Sequence, residues 1–124
     1  MQIDNVSFQQ DVNGSWQLKP AAAPHHILLI VLRGQVEYQF GDSVARIRKG
    51  EGLFYPQGTV RSAQADRTEA LQLYSAHFRC EPSSEIALLA SEPYQHLKPL
   101  GFDYLKQRFS VLHECWIGRL ESFD

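Results

Sequence analysis

Hydrophobic and polar positions alternate in short runs over the first eighty residues, and each run ends at a turn signal. Runs spaced roughly eight to twelve residues apart are typical of an antiparallel sandwich or barrel. Asn13 and Gly14 form a favourable hairpin-turn pair and predict a hairpin between the first two strands. The pattern predicts strands over 6–10, 15–18, 26–32, 36–40, 44–48, 53–55 and 71–78.

The longest apolar run extends from Ile27 to Leu32, with six residues of which three are β-branched. Its length and the turn at Arg33 and Gly34 favour a strand buried on both faces over a helix. No run approaches the ~20 residues of a membrane span, so we expect no membrane association. The first residues carry neither the basic start nor the apolar stretch of a signal peptide, and a cytoplasmic location is expected.

The pattern changes after Cys80. A short helix is predicted over 85–90, a connector over 93–99, and a longer helix from Asp103 onwards. Apolar residues in the last segment recur at intervals of three or four and form one stripe: Phe102, Leu105, Phe109, Leu112, Trp116 and Leu120. The stripe either packs on its own barrel or forms part of a subunit interface.

Composition limits the possible functions. The 124 residues are enough for one domain that folds without a disulfide or metal, and the two cysteines, Cys80 and Cys115, fit reduced thiols or one disulfide. A net charge of −2 argues against nucleic-acid binding by this segment. Neither the G-x-S-x-G nucleophile elbow nor the phosphate loop G-x-x-x-x-G-K-[ST] occurs. We therefore expect no enzyme activity.

The most informative motif runs from Gly50 through Pro56 and Gly58 to Arg61, with the spacing G-x5-P-x-G-x2. The glycines and the proline allow two tight turns around a short strand. This motif resembles the second sequence motif of the cupin superfamily of small jelly-roll barrels. Gly34, after the apolar strand, is similar to the end of the first cupin motif.

The resemblance also implies where a cupin metal would bind. Its ligand positions fall at Arg61, Ile27 and, near the start of the first motif, at Ala21 and Ala23 or one residue earlier at Pro20 and Ala22. None of these side chains is a metal ligand, and a divalent site needs at least three. We therefore expect neither a metal nor another cofactor.

The order of the elements resembles the amino-terminal effector-binding and dimerisation domain of AraC-family transcriptional regulators. It runs from Lys19 and Pro20 through the apolar strand and the Gly50 motif to a strand ending at His77 and Phe78, then to a connector and a helix. The resemblance implies an N-terminal arm over 1–14, a cupin-like jelly-roll barrel over 15–80, and a connector with an amphipathic helix over 81–124. It also implies a DNA-binding domain outside this chain.

Candidate ligand contacts come from strand parity together with this resemblance. Parity places alternate residues of each strand inside the barrel, among them Ile27, Leu29, Val31 and Leu71. The resemblance places ligand contacts at four positions, and parity and side-chain chemistry add three more. The full set is Lys19, Tyr38, Arg61, Ala63, Leu73, Ser75 and His77.

An arginine in such a cavity suits a carboxylate or phosphate. Plainer interpretations stay open at this point: Arg61 as a surface residue, His77 as a core histidine, Tyr38 as barrel packing and Lys19 as a solvated side chain.

The sequence thus predicts a mainly β, cupin-like barrel followed by a C-terminal helical segment. It would bind a small effector, either a sugar or an anionic metabolite, and form a homodimer through Leu105, Phe109, Leu112 and Trp116. Two other interpretations remain, a stand-alone metal-free cupin enzyme and a small carbohydrate-binding barrel.

Overall fold

The computed structural model describes residues 2–11, 14–79 and 94–98, and this part of the chain consists of strands and turns. The strands are β1 (Gln2–Asp11), β2 (Gln17–Ala22), β3 (His26–Arg33), β4 (Gln35–Phe40), β5 (Ser43–Arg48), β6 (Gly52–Tyr55), β7 (Val60–Ala65), β8 (Leu71–Arg79) and β9 (Gln95–Leu97). The bounds of β3, β4, β5, β6 and β8 lie within one residue of the predicted ones, whereas β1 and β2 differ by more and β7 was not among the predicted strands.

The strands form two antiparallel sheets that enclose the core. One sheet has the order β1-β8-β3-β6-β9 and the other β2-β7-β4-β5. The apolar strand β3 lies at the centre of the five-stranded sheet, between β8 and β6. Residues 27, 29 and 31 point into the main core, while Ile30 packs in a second, smaller cluster with Val6 and Ala76. The prediction that β3 is buried on both faces is confirmed.

Three local features differ from the sequence-based expectations. Residues of the predicted N-terminal arm form β1, which pairs with β8 along its whole length at the edge of the sheet. β1 and β2 lie in different sheets, so Asn13 and Gly14 do not connect a hairpin. Within the predicted connector, Gln95–Leu97 pairs with β6 as β9. Local pattern indicated only part of β1, over 6–10, and gave no signal for β9, because the partners of both edge strands are distant in sequence.

Two glycines hold turns that the fold requires. Gly34 has φ +76°, and a Cβ there would lie 2.5 Å from the carbonyl oxygen of Ala70. Gly58 has φ +90°, and its amide donates to the carbonyl of Ala23 over 2.8 Å. Only glycine adopts such angles without strain. The turn at Gly58 connects the G-x5-P-x-G motif to Ala23, which lies shortly before β3. It also precedes β7, which carries Arg61.

The predicted helices and the apolar stripe, including Leu105, Phe109, Leu112 and Trp116, lie outside the described residues. None of the described residues belongs to a helix long and apolar enough to cross a membrane.

Candidate functional site

A small cavity of about 90 Å³ lies between the two sheets. Its walls are mostly apolar and aromatic, with a few polar groups converging on it. The lining residues are Gln9, Trp16, Leu18, Ile27, Leu29, Tyr38, Tyr55, Arg61, Leu73, Ser75 and His77.

Strand register explains why these side chains meet. In the five-stranded sheet Ile27 lies between Tyr55 and His77, and Leu29 lies beside Ser75 in the next inward-facing row. Residues directly opposite each other on paired strands share a face of the sheet. Each row therefore sets an apolar residue of β3 beside a polar residue of β8.

Arg61 enters the cavity from the opposite sheet. Its side chain is only 9% exposed. Its Nε donates to the Tyr55 hydroxyl over 3.3 Å and its Nη1 donates to the Ala21 carbonyl over 3.0 Å. The guanidinium carbon lies 5.8 Å from the centre of the Tyr55 ring. These contacts hold the guanidinium against the row that contains Tyr55 and His77.

The charge of Arg61 has no counterion in this part of the chain. Of the ion pairs formed among residues 2–11, 14–79 and 94–98, none includes Arg61, and no acidic side chain lines the cavity. Burying a cation without a partner is costly. Tyr55 and Ala21 accept from two of its five N–H donors, and no hydrogen bond to another described residue uses the other three.

His77 lines the cavity next to a charged cluster at the end of the five-stranded sheet. Its ring centre lies 6.1 Å from that of His25, whose Nε2 is 3.7 Å from Asp4. Asp4 also accepts two hydrogen bonds from Arg79, at 2.9 and 2.8 Å, and this lowers the pKa of its carboxyl. Partial burial, followed by electrostatic interactions with His25 and Arg61, lowers the pKa of His77. His77 is therefore neutral at pH 7.

Aromatic rings form a rigid wall of the cavity. Tyr38 packs at centroid distances of 5.7 Å from Tyr55 and 5.9 Å from Phe40, and Trp16 lies 6.4 Å from Tyr38. Burial raises the pKa of the Tyr38 hydroxyl well above 10, so this group stays protonated. Such rings fix the shape of the cavity and provide apolar contact for a ligand.

The structure brings five of the seven predicted contact residues into the cavity wall: Tyr38, Arg61, Leu73, Ser75 and His77. Their roles in ligand binding remain predictions. Ala63 is buried in the core but does not line the cavity, and the same holds for Val31.

Lys19 does not line this cavity, and its contact with a ligand stays a prediction. It is exposed on the edge strand β2 and borders an open depression of the four-stranded sheet. Lys19 follows Leu18, which lines the cavity, and neighbouring residues of a strand point to opposite faces of the sheet.

The sequence analysis did not assign four lining residues to the cavity: Gln9, Trp16, Leu18 and Tyr55. Gln9, Trp16 and Leu18 complete the wall, and Trp16 Nε1 donates to Gln9 Oε1 over 2.7 Å. Trp16 and Leu18 alternate in the chain, which is the signal that could have placed both on the inward face. Gln9 had no such signal, because its position depends on the long-range pairing of β1 with β8.

The residues at the cupin ligand positions do not fit a metal. Ala23 and Ile27 are buried and apolar, and Ala21 pairs with Arg61, a cation. Among residues 2–11, 14–79 and 94–98 no group of three or more histidine, cysteine or acidic side chains is placed to hold a metal ion. No chemistry through a metal is assigned to this cavity.

Solved structures share this fold at low sequence identity. Apo ToxT from Vibrio cholerae matches with TM-score 0.62 and 6% identity, over 86% of this chain and 47% of ToxT. The bacterial pirin YhhW from Escherichia coli, solved with nickel(II), matches with TM-score 0.60 and 20% identity, over 80% of this chain and 42% of the pirin. A cupin superfamily protein from Desulfitobacterium hafniense matches with TM-score 0.55 and 11% identity, over 64% of this chain and 69% of that protein.

These matches establish a cupin-like fold. The chain spans less than half the length of ToxT and of the pirin. A comparison with curated proteins finds no match. A family model described as the AraC-like ligand-binding domain matches residues 11–120, nearly the whole chain. The chain therefore belongs to the family of AraC-like ligand-binding domains.

Proposed function

We propose that this chain is the effector-binding and dimerisation domain of an AraC-family transcriptional regulator in the cytoplasm. The family match and the cavity between the sheets support effector binding. The observation that carries the proposal is Arg61, a buried guanidinium facing a cavity without an acidic partner among the described residues. DNA binding then belongs to a part of the regulator outside this chain.

An anion fits this site better than a sugar. A ligand carboxylate or phosphate would supply the counterion that Arg61 lacks and would accept from its free N–H groups. A neutral sugar would leave the buried charge uncompensated, and each of its hydroxyls would need a partner. Four of the lining residues, Leu18, Ile27, Leu29 and Leu73, are aliphatic and offer none.

The cavity is proposed as a binding site and not as a catalytic centre. Its lining contains one histidine, one serine and no carboxylate. No hydrogen bond among the described residues joins His77 to Ser75, and activation of a serine nucleophile depends on such a bond to a base. The contacts of the site bind and orient a ligand but provide no activated nucleophile.

The predicted dimer is part of the same proposal. The apolar stripe ending at Leu120 would leave an exposed patch unless it is covered, and soluble monomers avoid large patches of this kind. A ligand-dependent change in the packing of the barrel against the helical segment would then transmit the signal.

The proposal is tested by screening organic acids, sugar phosphates and neutral sugars for thermal stabilisation of the purified chain. Arg61→Met is compared with Arg48→Met, which makes the same chemical change at an exposed position of β5. We expect anionic compounds to stabilise the wild type and the Arg48 variant but not the Arg61 variant. Stabilisation that is equal in all three proteins would reject the cavity as the effector site.

A second readout concerns DNA. The chain alone should not shift a DNA duplex in a sequence-dependent way at physiological salt, since its net charge is −2. Sequence-specific DNA binding by this chain would contradict the proposal that another part of the regulator binds DNA.

A further inference from the structure

The volume of the cavity limits the size of the effector, and the separation of polar from apolar residues in its wall limits the effector's shape and polarity. A cavity of ~150 Å³ holds benzene, which has six non-hydrogen atoms. By the same measure about 90 Å³ holds about four such atoms. A monosaccharide has about twelve and does not fit this volume.

The polar groups of the site occupy only part of the wall. Arg61 provides free N–H donors, and Ser75 is 4% exposed with its side chain in the lining. Ile27, Leu29 and Leu73 form an apolar surface beside them. A ligand that is polar on all sides, such as inorganic phosphate, would lose hydrogen bonds to water against this surface. A ligand with one charged end and one apolar end would satisfy both parts.

We propose that the cavity selects a short monocarboxylate of about two to three carbons, with its carboxylate on Arg61 and its carbon chain against Leu29 and Leu73. This inference rests on the proposed effector-binding function and names the ligand class. The Tyr55 hydroxyl and the Ala21 carbonyl hold the guanidinium in place before the ligand arrives. Pre-organisation of this kind reduces the entropy lost on binding.

The experiment is isothermal titration of the full 124-residue chain with sodium propionate and with propionamide at matched ionic strength. The two compounds have the same number of non-hydrogen atoms and nearly the same shape, but only propionate is charged. We expect saturable propionate binding and at least roughly tenfold weaker propionamide binding, because hydrogen bonds to a charged group are lost. Hexanoate should bind more weakly than propionate because its chain exceeds the cavity.

Variants assign the effect to the cavity. Arg61→Met should abolish propionate binding, and Arg48→Met should leave it unchanged. If Arg61→Met does not fold, the comparison of propionate with propionamide on the wild type decides the question, together with Arg61→Lys, which keeps the charge but loses the planar donors.

Equal binding of propionate and propionamide, or no propionate binding at all, would overturn this inference. Arg61-dependent binding of phosphate, a sugar phosphate or a long-chain acid, with no binding of propionate, would also overturn it but would leave the proposed effector-binding function intact. Failure of every compound in the broader thermal screen would instead count against the proposed function itself.

Discussion

Replacing Arg61 by methionine tests whether this residue serves the fold or a ligand. Methionine replaces the unbranched stem of arginine without charge, although it is shorter and does not reach the position of the guanidinium. The change removes two hydrogen bonds, and the one to Tyr55 is long at 3.3 Å. Bonds from a charged donor contribute about 1.5–3 kcal/mol each when well formed. Their combined loss is therefore about 3 kcal/mol here.

The opposing term is the burial of a cation without a counterion among the described residues. Desolvation of a buried ion costs several kcal/mol after relaxation, and replacing buried charges by apolar groups is often neutral or stabilising by about 1–4 kcal/mol. We therefore expect Arg61→Met to raise the free energy of unfolding of the ligand-free chain by about 1 kcal/mol. Binding residues are commonly unfavourable for stability in this way.

Urea denaturation of the wild type, Arg61→Met and Arg48→Met measures this difference. Circular dichroism confirms that each protein folds, and the Arg48 variant shows the effect of removing an exposed arginine. A loss of about 3 kcal/mol or more in the Arg61 variant would refute the reasoning. Such a loss would mean that the contacts to Tyr55 and Ala21 outweigh the desolvation cost, which would make Arg61 a structural residue.

Four further predictions follow from the structure and the sequence. The pKa of His77 is lowered in the folded chain, so the unfolded chain binds more protons than the folded chain as the pH falls through about 6.5, and the free energy of unfolding decreases. His77→Gln should reduce that decrease in denaturation curves recorded between about pH 7.5 and pH 5. Asp4→Asn should lower the melting temperature at neutral pH, because it removes the carboxylate that binds Arg79. Once the pH falls below the lowered pKa of Asp4, this contact no longer favours the folded state, and the melting temperatures of the variant and the wild type should be the same. Leu73→Ala should destabilise the fold by about 3 kcal/mol in urea titrations and, by enlarging the cavity, should shift ligand preference towards longer carboxylates. Trp116→Ala should weaken self-association by about 2 kcal/mol in light scattering across a dilution series, whereas a wild type that is monomeric at high concentration would contradict the dimer.

The central strands could be predicted from sequence because each carries its own signal. The run from Ile27 to Leu32 and the alternation of Val36, Tyr38 and Phe40 determine their strands without knowledge of the partner. The edge strands of the five-stranded sheet carry less of this signal. The pattern predicted only residues 6–10 of β1 and no strand at β9, since their full extents depend on pairing with β8 and β6, which lie far away in the chain.

The candidate site shows the same division between local and long-range information. Strand parity was sufficient to place Leu73, Ser75 and His77 on one face, because one strand carries all three. Lys19 was assigned to the ligand through the family resemblance, whereas alternation after the inward-facing Leu18 places it on the exposed side of β2. Gln9 enters the cavity through the pairing of β1 with β8, and no local pattern encodes that pairing.

The position of the cavity explains how ligand binding there could affect the packing of β1. Its wall combines Arg61 from one sheet, Ser75 from the other, and Gln9 from the edge strand β1. Gln9 is held by Trp16, whose backbone amide donates to Asp11 at the end of β1 over 2.6 Å. A ligand shifts a conformational equilibrium only as far as it binds one state more tightly than the other. Since β1 contributes directly to the wall, a state with β1 detached would lose part of the site, so ligand binding under the proposed function favours a docked β1.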